Sequence, residues 1–446
     1  MAAQAATAVT ASNTCAPVND SSGEWGETPV DNTAYTSCPG GEGWNLRRNC
    51  AADGWANESD VFKSDCPAPR ACDVCECYDC GGGLRHCGGA VGAASAINEI
   101  EHFVDCSNKN LVKAPQDFPS NMTRLFFAGN PWLDSLPSNM FGTSSWQTAH
   151  LKSVYMQSVK EATSLPFGTT PFLALVKIDM ADFKLVQTVH NGQFVNGLPA
   201  LATLIMQSFN NLRTLGRSIA GSSSLRSLEI GGCPLLTLRE DTLEGTNLHA
   251  FKLIANTGVT SIPPGFFAHS PSLVNVNIEF NRQLGTLPSP LFRTPLHDSD
   301  ERTITVQGTD VVIRSGTFRG VNTAKRITLK SQQQGPGNRR LLVADNAFEN
   351  AGRVGTLDVE GFDLGQATAS TFVGFSSLRT LIVGKASVTS PTAVDAGVFL
   401  LPGLQAVDLR YVQASDIPAR AFGQATLRTV RLRCVRGVRT LRQELF

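Results

Sequence analysis

Residues 248–271 read LHAFKLIANTGVTSIPPGFFAHSP, and residues 272–292 continue SLVNVNIEFNRQLGTLPSPLF. Both stretches carry apolar residues at positions one, four and six and asparagine at position nine: Leu248, Phe251, Leu253 and Asn256, then Leu273, Val276, Ile278 and Asn281. An apolar–proline step follows in each (Ile262–Pro263, Leu287–Pro288), and each ends near a phenylalanine, Phe267 or Phe292. The central alternation predicts a short strand with one buried face. An asparagine just past such a strand can hydrogen-bond backbone groups left unpaired at the turn.

Two adjacent, in-phase copies follow the leucine-rich-repeat pattern L-x-x-L-x-L-x-x-N-x-L. In that frame, copies start at Met122, Leu151, Leu173, Leu201, Leu225, Leu248, Leu273, Glu301, Ala324, Val354, Leu378, Leu404 and Leu427. The fold expected for residues 122–446 is therefore a repeat solenoid of about 13 repeats. It would be a curved horseshoe with a parallel sheet on the concave side and irregular or 3-10 segments on the convex side. Position nine is asparagine in the copies starting at Met122, Leu248 and Leu273; Cys233 takes it in another and reads as a buried packing cysteine.

Strand positions three, five and seven point away from such a core. They include Phe126; Tyr155; Leu175, Lys177 and Asp179 in the copy counted from Leu173; Glu229; Lys252; and Glu279. Phe126 and Tyr155, on neighbouring strands, are expected to stand exposed as anchors, since aromatic residues dominate interface energetics. Lys177, Asp179, Glu229, Lys252 and Glu279 complete the candidate ligand-binding set on the concave face.

Toward the amino terminus the composition changes. Ten of the twelve cysteines lie between Cys15 and Cys106, a density that signals disulfides or zinc. Residues 1–14 read as a leader remnant or a disordered segment. Residues 15–66 hold four cysteines, three tryptophans and many glycines, too little to bury a sufficient core unaided. The order Asp20, Trp25, Thr28–Pro29, Cys38–Pro39, Arg48-Asn49-Cys50, Gly54–Trp55 and Cys66 resembles the hormone-receptor domain of secretin-type and adhesion-type seven-helix receptors. Glu24 stands where peptide-hormone receptors have a cysteine, so the segment is similar to the four-cysteine adhesion-type form. That resemblance implies Cys15–Cys50 and Cys38–Cys66 bridges; four cysteines by themselves allow three pairings. Trp25 and Trp55 read as the small core of the module.

Residues 67–121 follow. Cys72-x-x-Cys75-x-Cys77, then Val104-x-Cys106-Ser and Pro115-x-x-x-Pro119, resembles the amino-terminal cap of extracellular leucine-rich-repeat proteins. The resemblance implies Cys72–Cys77 and Cys75–Cys106; Cys80 and Cys87 lie in an insertion that departs from the family pattern and read as a third bridge. A rival reading makes Cys72, Cys75, Cys77, Cys80, His86 and Cys87 a zinc site in an intracellular scaffold. The sequons at Asn19, Asn57 and Asn121 fit glycosylation of a secreted chain.

The chain has no formal net charge, and charged residues make up 17% of it, against about 25% in an average soluble protein. That balance argues against nucleic-acid binding. No run approaches the roughly 18 apolar residues of a membrane span. No nucleophile elbow, phosphate loop, dinucleotide fingerprint or metalloprotease helix occurs, and no cofactor is expected. Arg428, Arg431, Arg433, Arg436, Arg439 and Arg442 crowd the last copy, either as a heparin or acidic-lipid patch or as part of a closing cap. The chain reads as cut at both ends.

The functional expectation is non-enzymatic extracellular recognition at a cell surface, with a protein or glycan ligand on the concave face. The resemblances imply the ectodomain of an adhesion-type G-protein-coupled receptor whose membrane part lies outside this chain. A secreted matrix adhesion protein or a repeat-type inhibitor is the alternative, followed by the zinc-bearing scaffold.

Overall fold

The computed structural model describes short strands within 14–55, residues 75–80, 101–109 and 122–130, and isolated positions between them. It then describes 150–434 except 161, 168–170, 293–294, 309–310, 332–340, 363–366, 385–394 and 412–419. Two compact units are present: residues 1–151 with 155–166, and residues 152–154 with 167–446.

In the first unit the strands within residues 14–55 form small antiparallel pairings. Thr14–Cys15 pairs with Thr28–Pro29, Val18–Asp20 with Gly23–Trp25, and Asn45–Ala51 with both Thr33–Ser37 and Gly54–Trp55. The strand Glu76–Cys80 then runs antiparallel to Glu101–Asp105, which in turn takes Arg124–Ala128 as a parallel neighbour. Cys75, just before the first of these strands, is disulfide-bonded to Cys106, just after the second. Both cysteines are buried, as are Val104, Leu111, Leu125 and Phe127 of the same unit. An antiparallel strand thus lies beyond the first parallel one, fixed by a covalent bond at its end. A repeat array needs such an element, because its first parallel strand would otherwise present an open edge. The bridges expected at Cys15, Cys38, Cys50, Cys66, Cys72, Cys77, Cys80 and Cys87 fall outside the described side chains, as do Asn19, Asn57 and Asn121.

The second unit is a parallel β-solenoid of the leucine-rich-repeat type. Its eleven described sheet strands are Lys177–Ala181, Thr203–Gln207, Ser227–Gly231, Ala250–Ile254, Asn275–Glu279, Thr303–Gln307, Thr323–Lys330, Ala351–Glu360, Phe375–Gly384, Ala406–Arg410 and Thr429–Arg433. Each pairs in parallel with the next, in register. Register makes equivalent side chains stack. Leu228, Phe251, Val276, Ile304, Ile327, Leu357, Leu381 and Val407 form one fully buried row, and Ile230, Leu253, Ile278, Val306, Leu329, Val359, Val383 and Leu409 form a second. Burying a side chain of this kind is worth about 1.5–3 kcal/mol. Across the core, phenylalanines of the returning segments stack from repeat to repeat: Phe267 on Phe292 at 5.6 Å, Phe318 on Phe348 at 5.2 Å and Phe399 near Phe422 at 5.3 Å. The returning side includes 3-10 turns at Glu240–Leu243 and Ala396–Phe399. No helix among the described residues is long and apolar enough to cross a membrane.

The chain leaves the sheet in the same way in repeat after repeat. The residue just past the strand has a positive φ at Asp182, Ser208, Gly232, Ala255, Phe280, Gly308, Gly361, Tyr411 and Cys434. Its N–H still donates to the next strand, as from Ala255 to the Glu279 carbonyl (2.8 Å) and from Phe280 to that of Gln307 (2.8 Å). The left-handed conformation turns the chain while the ladder gains one more bond. Next comes position nine. The Asn256 side chain accepts from the Cys233 N–H (3.0 Å) and donates to the carbonyls of Ile230 and Ile254 (3.0 and 3.1 Å). Asn281 repeats this, accepting from the Asn256 N–H at 2.9 Å and donating to the Leu253 and Glu279 carbonyls. Asn130 does so in the first unit, accepting from Leu111 and donating to Cys106.

Two details differ from the sequence reading. Lys177 pairs with Thr203, so the third frame begins at Leu175, which is wholly buried, while Leu173 is 58% exposed. Leu175 therefore belongs to the core and not to the solvent face; two leucines two residues apart give the same alternation in either phase. In the eighth copy Glu301 is exposed and Arg302 is buried instead. The Arg302 guanidinium donates to the carbonyls of Leu273 (2.8 Å), Thr323 (2.6 Å) and His297, and burial pulls its pKa below the ordinary value.

Candidate functional site

Alternation dictates what each strand presents to solvent. Even positions enter the core, and odd ones form rows across the sheet, with neighbouring strands about 4.8 Å apart. At that distance opposite and diagonal residues reach each other, and the candidate residues do so.

In the first unit, Phe126 and Tyr155 are half-buried and not free-standing as expected. Their rings lie nearly parallel, 8° apart, with centroids at 4.9 Å. Two aromatic residues in one row across adjacent strands cover each other, and the pair offers a single ledge.

In the second unit, Lys177 and Asp179 pair along one strand at 3.4 Å. Glu229 and Lys252 lie opposite each other on adjacent strands and pair at 3.0 Å; Gln207 donates to the other Glu229 oxygen at 2.8 Å. Glu279 accepts from Gln307 directly opposite at 3.0 Å, and Thr303 donates to Asn275 at 2.8 Å. Lys252 and Glu279 belong to adjacent strands, with Asn277 opposite Lys252 and Ile254 opposite Glu279. The structure thus joins Glu229 with Lys252 and Lys177 with Asp179, while Glu279 has an amide partner instead. Each charge is oriented by a neighbour before any ligand arrives.

A denser cluster lies further along the same sheet. Arg326 pairs with Asp358 at 3.0 Å, and Lys330 lies 3.6 Å from Asp358 and 3.4 Å from Glu360. Arg410 donates through Nε and Nη2 to one Asp408 oxygen, at 2.9 and 2.7 Å. The Asp408 hydrogen bond, with help from Asp358 and Glu360, raises the Arg410 pKa. The Asp408 Oδ1 atom is buried without a hydrogen-bond donor, and Arg433 Nε stands off at 3.7 Å. The strand frame put these residues on the solvent face, yet reading each strand by itself gave no sign that they converge.

Cys233 is wholly buried and carries a free thiol, which donates to the Gly231 carbonyl. Burial pushes its pKa up to about 11. Such a thiol is no nucleophile at neutral pH. Cys75 is committed to Cys106 and supplies no thiolate to a zinc site.

No family model and no curated protein matches this sequence. Among solved structures, one described as the Toll–Spatzle complex of Drosophila, in glycosylated form, aligns with a TM-score of 0.47 and 19% identity. The alignment covers 70% of this chain and 44% of the matched chain, so this chain spans less than half of that one's length.

Proposed function

We propose that the solvent face of the second unit's sheet is a recognition surface for an extracellular protein ligand and acts without covalent chemistry. The observation that carries this reading is the cross-strand lattice of Gln207, Glu229 and Lys252, with Glu279 and Gln307 beyond it. A polar face whose side chains already hold one another loses little rotamer freedom on binding. Lys177, Asp179, Glu229, Lys252 and Glu279 are its contact residues, and the Phe126–Tyr155 ledge serves the first unit in the same way.

The Cys75–Cys106 disulfide supports an oxidising compartment, hence secretion or display at the cell surface. The ordered motif from Asp20 to Cys66 supports the narrower reading, an adhesion-type receptor ectodomain. For either, the test is a screen of the secreted chain against extracellular proteins by surface plasmon resonance. A ligand of this face binds at least ten-fold more weakly to a Glu229→Lys, Lys252→Glu double variant. It keeps its affinity for Arg239→Ala, on the returning side. Ligands that bind the double variant and the parent chain equally well would overturn the assignment.

A further inference from the structure

The strands from Thr323–Lys330 to Thr429–Arg433 sort their charges by depth. The carboxylates are sunk: Asp358 is 6% and Asp408 3% exposed. The cations around them stand out, with side chains 45% exposed for Arg326, 40% for Arg410 and 57% for Arg433. Arg431, beside Arg433 on the same strand, is exposed and pairs with no acid among the described residues. The same is true of Arg379 and Arg428, each one residue before a solvent-facing threonine (Thr380, Thr429). Leaving aside Arg379 and Arg428, the face carries five cations, Arg326, Lys330, Arg410, Arg431 and Arg433, against the three carboxylates of Asp358, Glu360 and Asp408, and the ones a partner meets first are the cations.

The guanidinium groups are aimed but not saturated. Arg410 uses Nε and Nη2 on a single carboxylate oxygen, and Arg326 uses Nη1 alone. A guanidinium has five N–H donors in a planar fork suited to oxyanions. Between the two groups of cations the surface is low. Ile382 is buried, and Gly384, in the same row as Glu360 and Arg410, adds no side chain. From Lys330 to Arg410 the row crosses three strand spacings, about 14 Å.

We propose that this region binds a linear sulfated polysaccharide, laid across the strands with its sulfates on the arginine forks. Such a ligand brings oxyanions spaced along a chain, the group that the exposed cations on either side of the trough are left to bind. Its sulfates accept from the unused guanidinium N–H groups. An anionic membrane is disfavoured on the face itself, where the apolar Ile382 is buried at the floor; the exposed Tyr411 lies past the end of its strand, and Leu432 alternates to the other side of its strand from Arg431 and Arg433. The proposal deepens the recognition reading by giving one region of the sheet a ligand class; its test is independent of the Glu229–Lys252 variants.

The experiment titrates the full secreted chain with a heparin hexasaccharide at physiological salt, by calorimetry. Two variants probe the site. Arg431→Glu with Arg433→Glu reverses exposed charges. Gly384→Glu sets an acid in the trough, where an added Cβ would meet only ordinary contacts, the nearest at 3.7 Å from Glu360 Cγ. Binding of the hexasaccharide, weakened at least ten-fold by either variant at unchanged circular dichroism, is the expected result. A desulfated hexasaccharide is expected not to bind. No binding by the parent chain would overturn the proposal, as would equal affinity for a polyglutamate peptide or phosphatidylserine vesicles. Binding lost in an Arg436→Ala, Arg439→Ala, Arg442→Ala variant but kept in the two face variants would do the same, by assigning the polyanion to other residues than these.

Discussion

Cys233 occupies the place that Asn256 and Asn281 hold in the next two repeats, and the difference lies in which backbone groups find a partner. Asn256 satisfies the Cys233 N–H and two carbonyls, and the thiol can do no more than reach its own repeat's Gly231 carbonyl. The roles of Leu248, Phe251, Leu253 and Asn256 were legible because each follows from spacing alone. Arg302 was not: its burial depends on three carbonyls from separate parts of the chain, which no local pattern encodes. The burial of Cys233 has a pH consequence. Its thiol titrates near 11 in the folded protein against an ordinary 9.0, so the folded state holds the proton more tightly. The resulting stabilisation is whole below pH 9 and is lost as pH rises through 11; two pKa units correspond to about 2–3 kcal/mol. Urea titrations of the parent chain and Cys233→Ala are expected to show their stability difference shrinking by that amount from pH 8 to pH 11. A constant difference would show that the thiol titrates alike in both states.

At the scale of the element, the repeating unit in eight of the eleven described strands of the second unit is a five-residue strand followed by one left-handed residue. Strand positions were legible from alternation. The left-handed residue was not, since aspartate, serine, alanine, phenylalanine and glycine all fill it and share no sequence signal. Its cost shows at Phe280, because a bulky residue at positive φ is an outlier. Phe280 is 42% exposed, and its ring lies where a Cβ on Gly308 would stand, 2.3 Å from Cδ1. Gly308, itself at φ +64°, thus meets both a conformational and a steric need. Gly308→Ala is expected to destabilise by about 2–3 kcal/mol, from left-handed strain of about 1–2 kcal/mol per residue plus displacement of the ring. Adding Phe280→Ala is expected to recover the steric part and leave the strain. Thermal denaturation of the four members of this cycle checks it, and strictly additive losses would show that ring and glycine do not interact.

At the scale of the whole molecule, stability in a repeat array is a sum of units and their neighbour interfaces. The Cys75–Cys106 bond holds the antiparallel strand at the start of the first unit's sheet, and its loss acts first there. Cys106→Ser is expected to remove about 2–5 kcal/mol from that unit. Hydrogen exchange is expected to rise at residues 101–130 and to stay unchanged at 203–307. Acceleration throughout would mean that the array opens as a single cooperative body. The solvent face was legible as a set of positions and not as a set of partners. Lys252 lies 23 residues from the glutamate it meets and Asp358 lies 32 from Arg326, separations set by the length of each returning segment. The array also contains its own clock. Because Cys233 is free, wholly buried and flanked by repeats on both sides, an alkylating reagent reaches it only when that stretch opens. The rate at which mass mapping finds the Cys233 peptide modified, divided by the rate for an unprotected thiol, is then the fraction of time the middle of the solenoid spends apart.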